Sequence, residues 1–296
     1  MTLPRQFLPN TTYFITRRTT QREFLLKPTK QTTQIFLYCI AIAAEKTGIR
    51  LHSVCVMSNH YHACLSDPHM KVAEFYGWLH KYVSKAINCS LGRRENLWST
   101  DKTSAIPLES PEDVLDKTAY TLCNPVSARL IAKAERWKGV WLYKQSHAQT
   151  IRRPEVYFQS DGDMPEEVEL KIYQPPSHQS MTSYDYERLV AHEISTREQE
   201  IVTEMQAAGQ SFMGMDAVMK QSHSDKPKTR ELRRKLNPKF AALNKWLRIS
   251  AIKRYKQFVA DYMQARELFR SGNRDVVFPL GTYALRIRLG VKVAPG

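Results

Sequence analysis

Two histidines and one tyrosine are the residues of this chain whose types and spacing could do chemistry together. His60 and His62 stand two apart in the run Met57-Ser58-Asn59-His60-Tyr61-His62. On a strand, alternation turns both imidazoles to one face and sends Tyr61, Ala63 and Leu65 to the other, which reads as core. Such a strand is half a metal site. Downstream, the run Tyr120-Thr121-Leu122-Cys123-Asn124-Pro125-Val126 sets a phenol and an amide at i, i+4, one face of a helix. A single helix would thus offer a phenol nucleophile and an amide oxygen ligand, with Pro125 marking where it ends or bends. Two nitrogens and one oxygen suit several divalent ions, zinc included.

The elements that must position these groups can be read from pattern. Residues 12–18 are β-branched and aromatic and turn cationic at their end, the mark of a first strand. Ile35, Tyr38, Cys39 and Ile42 share a helical face between about 29 and 47, and Gly48 fits as the C-cap. Residues 49–57 form a strand apolar on both faces, Ser58-Asn59 a hairpin turn, and His60–Ser66 the returning strand, broken by Asp67-Pro68. A helix covers 70–90, along the stripe Val72, Phe75, Trp78, Leu79, Tyr82, Val83, Ala86 and Ile87. A last strand is expected from Leu97 to Ile106. Ser110, Pro111 and Asp113 then open a helix over 111–124 that carries Tyr120 and Asn124. The order β-α-β-β-α-β plus a helix predicts an α+β, ferredoxin-like sheet with its helices on one face and the histidines on the open one.

Composition bounds the whole. The chain has 296 residues, 42% of them hydrophobic, and a formal net charge of +15. That balance favours a polyanionic partner, nucleic acid ahead of membrane lipid. No run approaches the ~20 apolar residues of a membrane span. The five scattered cysteines form no Cys-x-x-Cys, which fits a reducing, cytoplasmic setting and argues against a disulfide framework. Past about residue 145 the charge separates. Residues 155–205 hold twelve acidic side chains against three Lys/Arg, and 226–274 hold fifteen Lys/Arg against three acidic. The expected division is 1–145 as the catalytic unit, 146–205 as an acidic connector with a helix near 183–208, and 206–296 as a basic, mainly helical C-terminal region.

At the two runs quoted first, the sequence resembles the single-tyrosine HUH transposases, most closely the REP-associated tyrosine transposases. Their usual text is Met-Pro-Asn-His-x-His followed by Tyr-x-x-x-Asn-Pro-Val. Here Ser58 replaces the proline, which removes no ligand. The resemblance covers roughly 8–145, and Val277-Phe278-Pro279-Leu280-Gly281-Thr282-Tyr283 is similar to the ending of longer members. It implies the ferredoxin-like fold and Mg²⁺ or Mn²⁺ held by His60, His62 and Asn124. It also implies Tyr120 attacking single-stranded DNA that carries hairpin-forming palindromic repeats. Monomer and homodimer both stay open.

That chemistry is a phosphoryl transfer. A tyrosine oxygen attacks phosphorus, a 3′-hydroxyl leaves, and the 5′-phosphotyrosine conserves the bond for later rejoining. A free phenol titrates near pH ~10, so a divalent cation that stabilises charge on the phosphate is useful. With a tyrosine nucleophile no carboxylate dyad is needed, and none accompanies the histidines. Phosphate contacts are expected from Arg17, Arg18, Lys81, Lys85, Arg93 and Arg94, and from Arg233, Arg234 and Lys235 with Trp246 nearby. Two rival readings are a replication- or relaxase-type HUH nickase and a DNA-binding regulator that keeps the fold. Helicase and additional tyrosine motifs are missing for the first, and a pure binder has no need of His60, His62 and Tyr120.

Overall fold

The apolar alternation that marks residues 60–67 as a strand also decides their place in the sheet. A computed structural model of the chain describes residues 4–158, 164–229 and 238–295. Its first part runs β1 (Thr11–Arg18), α1 (Lys30–Thr47), β2 (Arg50–Val56), β3 (His60–Asp67), α2 (Val72–Ser90), β4 (Ser104–Pro107), α3 (Pro111–Leu122), α4 (Asn124–Ser127) and β5 (Trp141–Leu142). These strands form one antiparallel sheet in the order β4-β1-β3-β2-β5, so β3 lies at its centre. Tyr61, Ala63 and Leu65 are fully buried. Tyr61 packs edge-on against Phe36 of α1 and donor-to-acceptor against His80 of α2. Each such large apolar side chain adds about 1.5–3 kcal/mol on burial, which fixes the register: a slip by one residue would turn the histidines into the core.

Local signals end and start the elements where the sequence places them. The Thr29 hydroxyl accepts from Thr32 N at the start of α1, and Gly48 closes that helix at φ 71°. The Asp67 carboxylate accepts from the backbone N–H groups of His69, Lys71 and Val72, so the residue that stops β3 also starts α2. Ser110 accepts from Asp113 N, with Pro111 in the first turn of α3.

Two expectations are corrected. The last strand does not run from Leu97 to Ile106 but only over Ser104–Pro107. Trp98 makes a single bridge to Thr19 and sinks into the core, its indole N–H donating to the His80 carbonyl. Nor are all helices on one face. α1 and α2 cover the Tyr61 face, whereas α3 lies over the histidine face, with Val114 in a cluster with Phe14, Cys64, Ile106 and Leu108.

The second part supplies β6 (Gln149–Arg152) and β7 (Glu167–Leu170), a two-stranded ribbon against α1, then α5 (Ser183–Ala207) and α6 (Met215–Lys220). Next come α7 (Lys245–Arg270), β8 (Val277–Phe278), α8 (Ala284–Leu289) and β9 (Lys292–Val293). α5 packs Tyr186, Val190 and Ile194 on Leu122, Cys123 and Val126, so the helix of the acidic segment is a buttress behind α3 and α4. The C-terminal motif docks on the N-terminal arm: Phe7 N donates to the Gly281 carbonyl at 3.1 Å, and the Phe7 and Tyr283 rings meet at 5.7 Å. Among the described residues no helix is long and apolar enough to cross a membrane.

Candidate active site

β3 delivers His60 and His62 to the same face, with ring centroids 4.8 Å apart. Phe14, from neighbouring β1, stacks on His62 at 5.2 Å and 12°. α3 crosses this floor so that Tyr120 sets its ring edge-on against His62 (5.4 Å) and Phe14 (5.8 Å). Its neighbours Thr121 and Leu122 are buried, yet Tyr120 is 43% exposed. A large aromatic held by its surroundings and open to solvent is what a nucleophile requires. Behind it, Asp116 joins α3 to Arg197 of α5 at 2.8 Å, and Lys117 holds its ammonium 5.6 Å from the Tyr120 ring centre.

The amide that follows one turn later closes the site. The helix breaks at Cys123, and Pro125 lies in the first turn of short α4. Asn124 Nδ2 donates to the Tyr120 carbonyl at 3.1 Å, so its Oδ1 is the atom facing His60 Nε2, at 3.2 Å. On the other side of the ring, Asn59 Nδ2 donates to the Arg22 carbonyl (3.1 Å), which turns Asn59 Oδ1 toward His60 Nδ1 at 2.7 Å. An amide oxygen only accepts. In neutral His60 the proton therefore sits on Nδ1, and the Nε2 lone pair faces the Asn124 oxygen. A lone pair set beside an amide oxygen in this way is an arrangement that a bound cation would satisfy. Burial holds the His60 pKa below its ordinary value, and burial together with His60 holds that of His62 well below. Both imidazoles are thus in the neutral form a metal binds. His62 Nδ1 is in addition a buried nitrogen without a hydrogen-bond partner, and such an atom costs about 1–3 kcal/mol when nothing satisfies it. The donor set, two imidazoles and an amide oxygen with Asn59 orienting one ring, fits a divalent cation. No cluster of three or more His, Cys, Asp or Glu side chains suited to a metal occurs among the described residues.

The site opens into a cleft of about 1330 Å³, beyond the ~300–1,000 Å³ typical of small-molecule pockets. Of the cations singled out in the sequence, Arg17 and Arg18 line it. Arg18 is paired with Asp101 at 3.3 Å. Arg17 turns to the helix side, where it donates to His80 Nδ1 and Thr103 Oγ1. Lys81 and Lys85 lie on the outer face of α2, against Tyr82 and Tyr157, across the sheet from the histidines. Arg93 pairs with Glu23 at 3.5 Å, and Arg94 is exposed beside it. Arg233, Arg234 and Lys235 lie outside the described residues, and Trp246 is 73% exposed. Sequence reading passed over Asn59 as an orienting group, although it stood inside the motif. It also passed over Arg22, Lys102, Lys226 and Lys228, which reach the cleft from loops with no periodic signal.

Residues 8–114 match the family model described as "Transposase IS200 like". The match takes in β1 through β4 and the first turn of α3, and it stops short of Tyr120. No curated protein matches the chain. Among solved structures, it is similar to a REP-associated tyrosine transposase bound to a REP hairpin. That similarity has 17% identity and a TM-score of 0.40, over 46% of this chain and 80% of the other. It is also similar to a transposase candidate from Deinococcus radiodurans, at 15% identity and a TM-score of 0.27, over 36% of this chain and 85% of the other. The match to the IS200-like transposase model is confined to residues 8–114, less than half of the chain.

Proposed function

We propose that this protein is a metal-dependent transposase that nicks and rejoins single-stranded DNA at hairpin-forming palindromic repeats, with Tyr120 as nucleophile. The observation that carries this reading is the exposed Tyr120 ring held 5.4 Å from His62, with the Asn124 amide oxygen turned to His60 one helical turn on. In the reaction the Tyr120 oxygen forms its bond to phosphorus as the bond to the 3′-oxygen breaks. The phenol proton passes to solvent at the exposed side chain, and the leaving oxygen takes up a proton from water. The strand is left as a 5′-phosphotyrosine, and a second 3′-hydroxyl reverses the attack without ATP. His60, His62 and Asn124 would hold Mg²⁺ or Mn²⁺, which supplies charge stabilisation at the scissile phosphate when bound. Phe14 keeps the His62 ring flat against the sheet. α5 keeps α3 from yielding as Tyr120 is loaded. Arg18 is assigned to DNA in the cleft, Arg93, Arg94, Lys81 and Lys85 to flanking DNA, and Arg233, Arg234 and Lys235 to the hairpin stem; Arg17, expected to contact phosphate, is instead committed to His80 and Thr103 on the helix side. The catalytic unit spans 1–145, followed by the acidic segment 146–205 and the basic region 206–296.

The test is covalent trapping. Labelled single-stranded hairpin oligonucleotides taken from DNA flanking the gene are incubated with the protein and Mn²⁺ or Mg²⁺, then run on denaturing gels. An adduct is expected that requires the metal, Tyr120 and His62. Tight hairpin binding without any adduct would instead mark a DNA-binding regulator, and an adduct persisting in Tyr120→Phe would remove Tyr120 from the mechanism.

A further inference from the structure

Residues 213–229 lie beyond the family match, yet they return to form a wall of the active-site cleft. Their course is held by backbone and side-chain bonds to the loop after β1. Phe24 N donates to the Asp225 carbonyl at 2.9 Å, Lys27 Nζ to the Gln221 carbonyl at 2.9 Å, and Arg22 to the carbonyl and hydroxyl of Thr229 at 2.8 and 3.1 Å. The loop is strained to make these bonds: Gln21 and Arg22 sit at φ 46° and 64°, a left-handed pair that costs of order 1–2 kcal/mol per residue in non-glycine residues. The same Arg22 accepts, through its carbonyl, the Asn59 amide that orients His60. One short path of hydrogen bonds therefore runs from the strap to the imidazole nearest Asn124.

The charge on this wall has no counterpart. Lys226 and Lys228 on the strap, and Lys102 on the β4 side, are exposed, line the cleft and form no ion pair among the described residues. The two acids that line it are both engaged, Asp101 by Arg18 and Asp225 by the Ser222 N–H at 2.8 Å. A cleft too large for a small ligand, lined by unneutralised ammonium groups and leading to Tyr120, suits a polyphosphate backbone.

We propose that the strap 213–229 is a DNA-binding wall of the cleft, in which Lys226 and Lys228, opposite Lys102, grip the phosphates of the single strand presented to Tyr120. This rests on the strand-cleavage reading for the identity of the strand, but the binding itself can be tested apart from cleavage.

The experiment measures binding of the full-length protein to a fluorescein-labelled oligothymidylate, by anisotropy across a salt series, for wild type, Lys226→Ala/Lys228→Ala and Lys30→Ala/Lys46→Ala. The last pair removes the same charge from exposed positions on α1, across the sheet. Each phosphate contact to a single strand contributes about 0.7 to the slope of log K against log salt. The strap pair is expected to flatten the slope by about 1.4, the α1 pair by far less. Equal flattening by both pairs, or none by the strap pair, would overturn the proposal. So would an equal loss of affinity for a duplex of the same length, which would point to a double-stranded partner. A flattened slope in a wild-type background that forms no covalent adduct would support the wall while removing the strand-cleavage reading.

Discussion

The sharpest test of the site is Asn59, a residue that orients His60. Asn59→Ala removes the 2.7 Å acceptor that holds the His60 proton on Nδ1, and with it the bond that pins the Arg22 carbonyl. Without that acceptor, neutral His60 can move its proton to Nε2 and donate to Asn124 Oδ1. The ring then presents no lone pair to a cation. Loss of such an orienting partner lowers metal affinity about 10–100-fold, which is about 1.4–2.7 kcal/mol. Unfolding should cost less, about 1 kcal/mol for the hydrogen bond to Arg22. Asn59→Asp separates the two effects, because a carboxylate still accepts from Nδ1 but cannot donate to the Arg22 carbonyl. Titration of Mn²⁺, followed by the free-ion spin-resonance signal, reads the affinity, and urea unfolding reads the fold. Asn59→Ala should bind Mn²⁺ 10–100-fold more weakly while Asn59→Asp binds at least as well as wild type. If Asn59→Ala binds as tightly as wild type while His60→Ala does not bind, the orientation argument is wrong. If His60→Ala also binds as wild type does, the metal site itself is misplaced.

Three further outcomes follow from the same contacts. His52 is buried and donates from Nδ1 to the Tyr173 carbonyl while Nε2 accepts from Ser66, and burial pushes its pKa down to about 4. The unfolded imidazole titrates near ~6.5, so the unfolded chain gains a proton first as pH falls. Stability is lost between those two values, with about 2 kcal/mol of the loss between pH 7 and pH 5 due to this residue. Urea midpoints of His52→Gln should lack that share, and an unchanged pH dependence would refute it. Gly281 sits at φ 92°, and an added Cβ would lie 2.6 Å from Gln6 Cγ and 3.0 Å from the Phe7 carbonyl oxygen. Gly281→Ala should destabilise by more than ~1 kcal/mol and speed proteolysis of the C-terminal segment, which an unchanged digestion pattern would disprove. Ile194→Ala empties the contact between α5 and the end of α3; a cost of about 2–4 kcal/mol, accompanied by a lower adduct yield at saturating DNA, is expected. A stability loss with full adduct yield would show that α5 stabilises without positioning Tyr120.

The sheet and its helices were legible because each carries a periodic signal with a stop beside it. Gly48, Asp67-Pro68 and Ser110-Pro111 bound α1, β3 and α3 within one or two residues of the boundaries read from sequence. The same signals brought His60, His62, Tyr120 and Asn124 together. What misled was Leu97–Ile106, where β-prone residues imitate a strand. Trp98 there answers to a partner no local pattern reveals, the His80 carbonyl. The β6–β7 ribbon was missed because its strands are only four residues each and alternate against α1 rather than against a sheet.

The placement of α3 shows why the site resisted a purely local reading. On its own, the helix presents Tyr120 to one side and Val114, Thr118, Thr121 and Leu122 to others, and several docking angles would bury the latter set. The angle is selected from outside: Phe14, Cys64 and Ile106 receive its first half, and Leu122 is clamped by Tyr186, Val190 and Ile194 from a segment more than sixty residues downstream. Asp116 and Arg197 close that clamp on the flank nearest Tyr120. The long extension thus enters the site twice, once as α5 behind the nucleophile and once as the strap 213–229 in front of it. An acidic helix and a basic strap suit those two places. The α5 acids Glu198 and Glu204 pair with Lys133 and Arg129 in the segment after α4, while Lys226 and Lys228 form no ion pair among the described residues. On the strand-cleavage reading, α5 would hold the tyrosine and the strap its substrate, and the salt-slope and Ile194 experiments address the two roles independently.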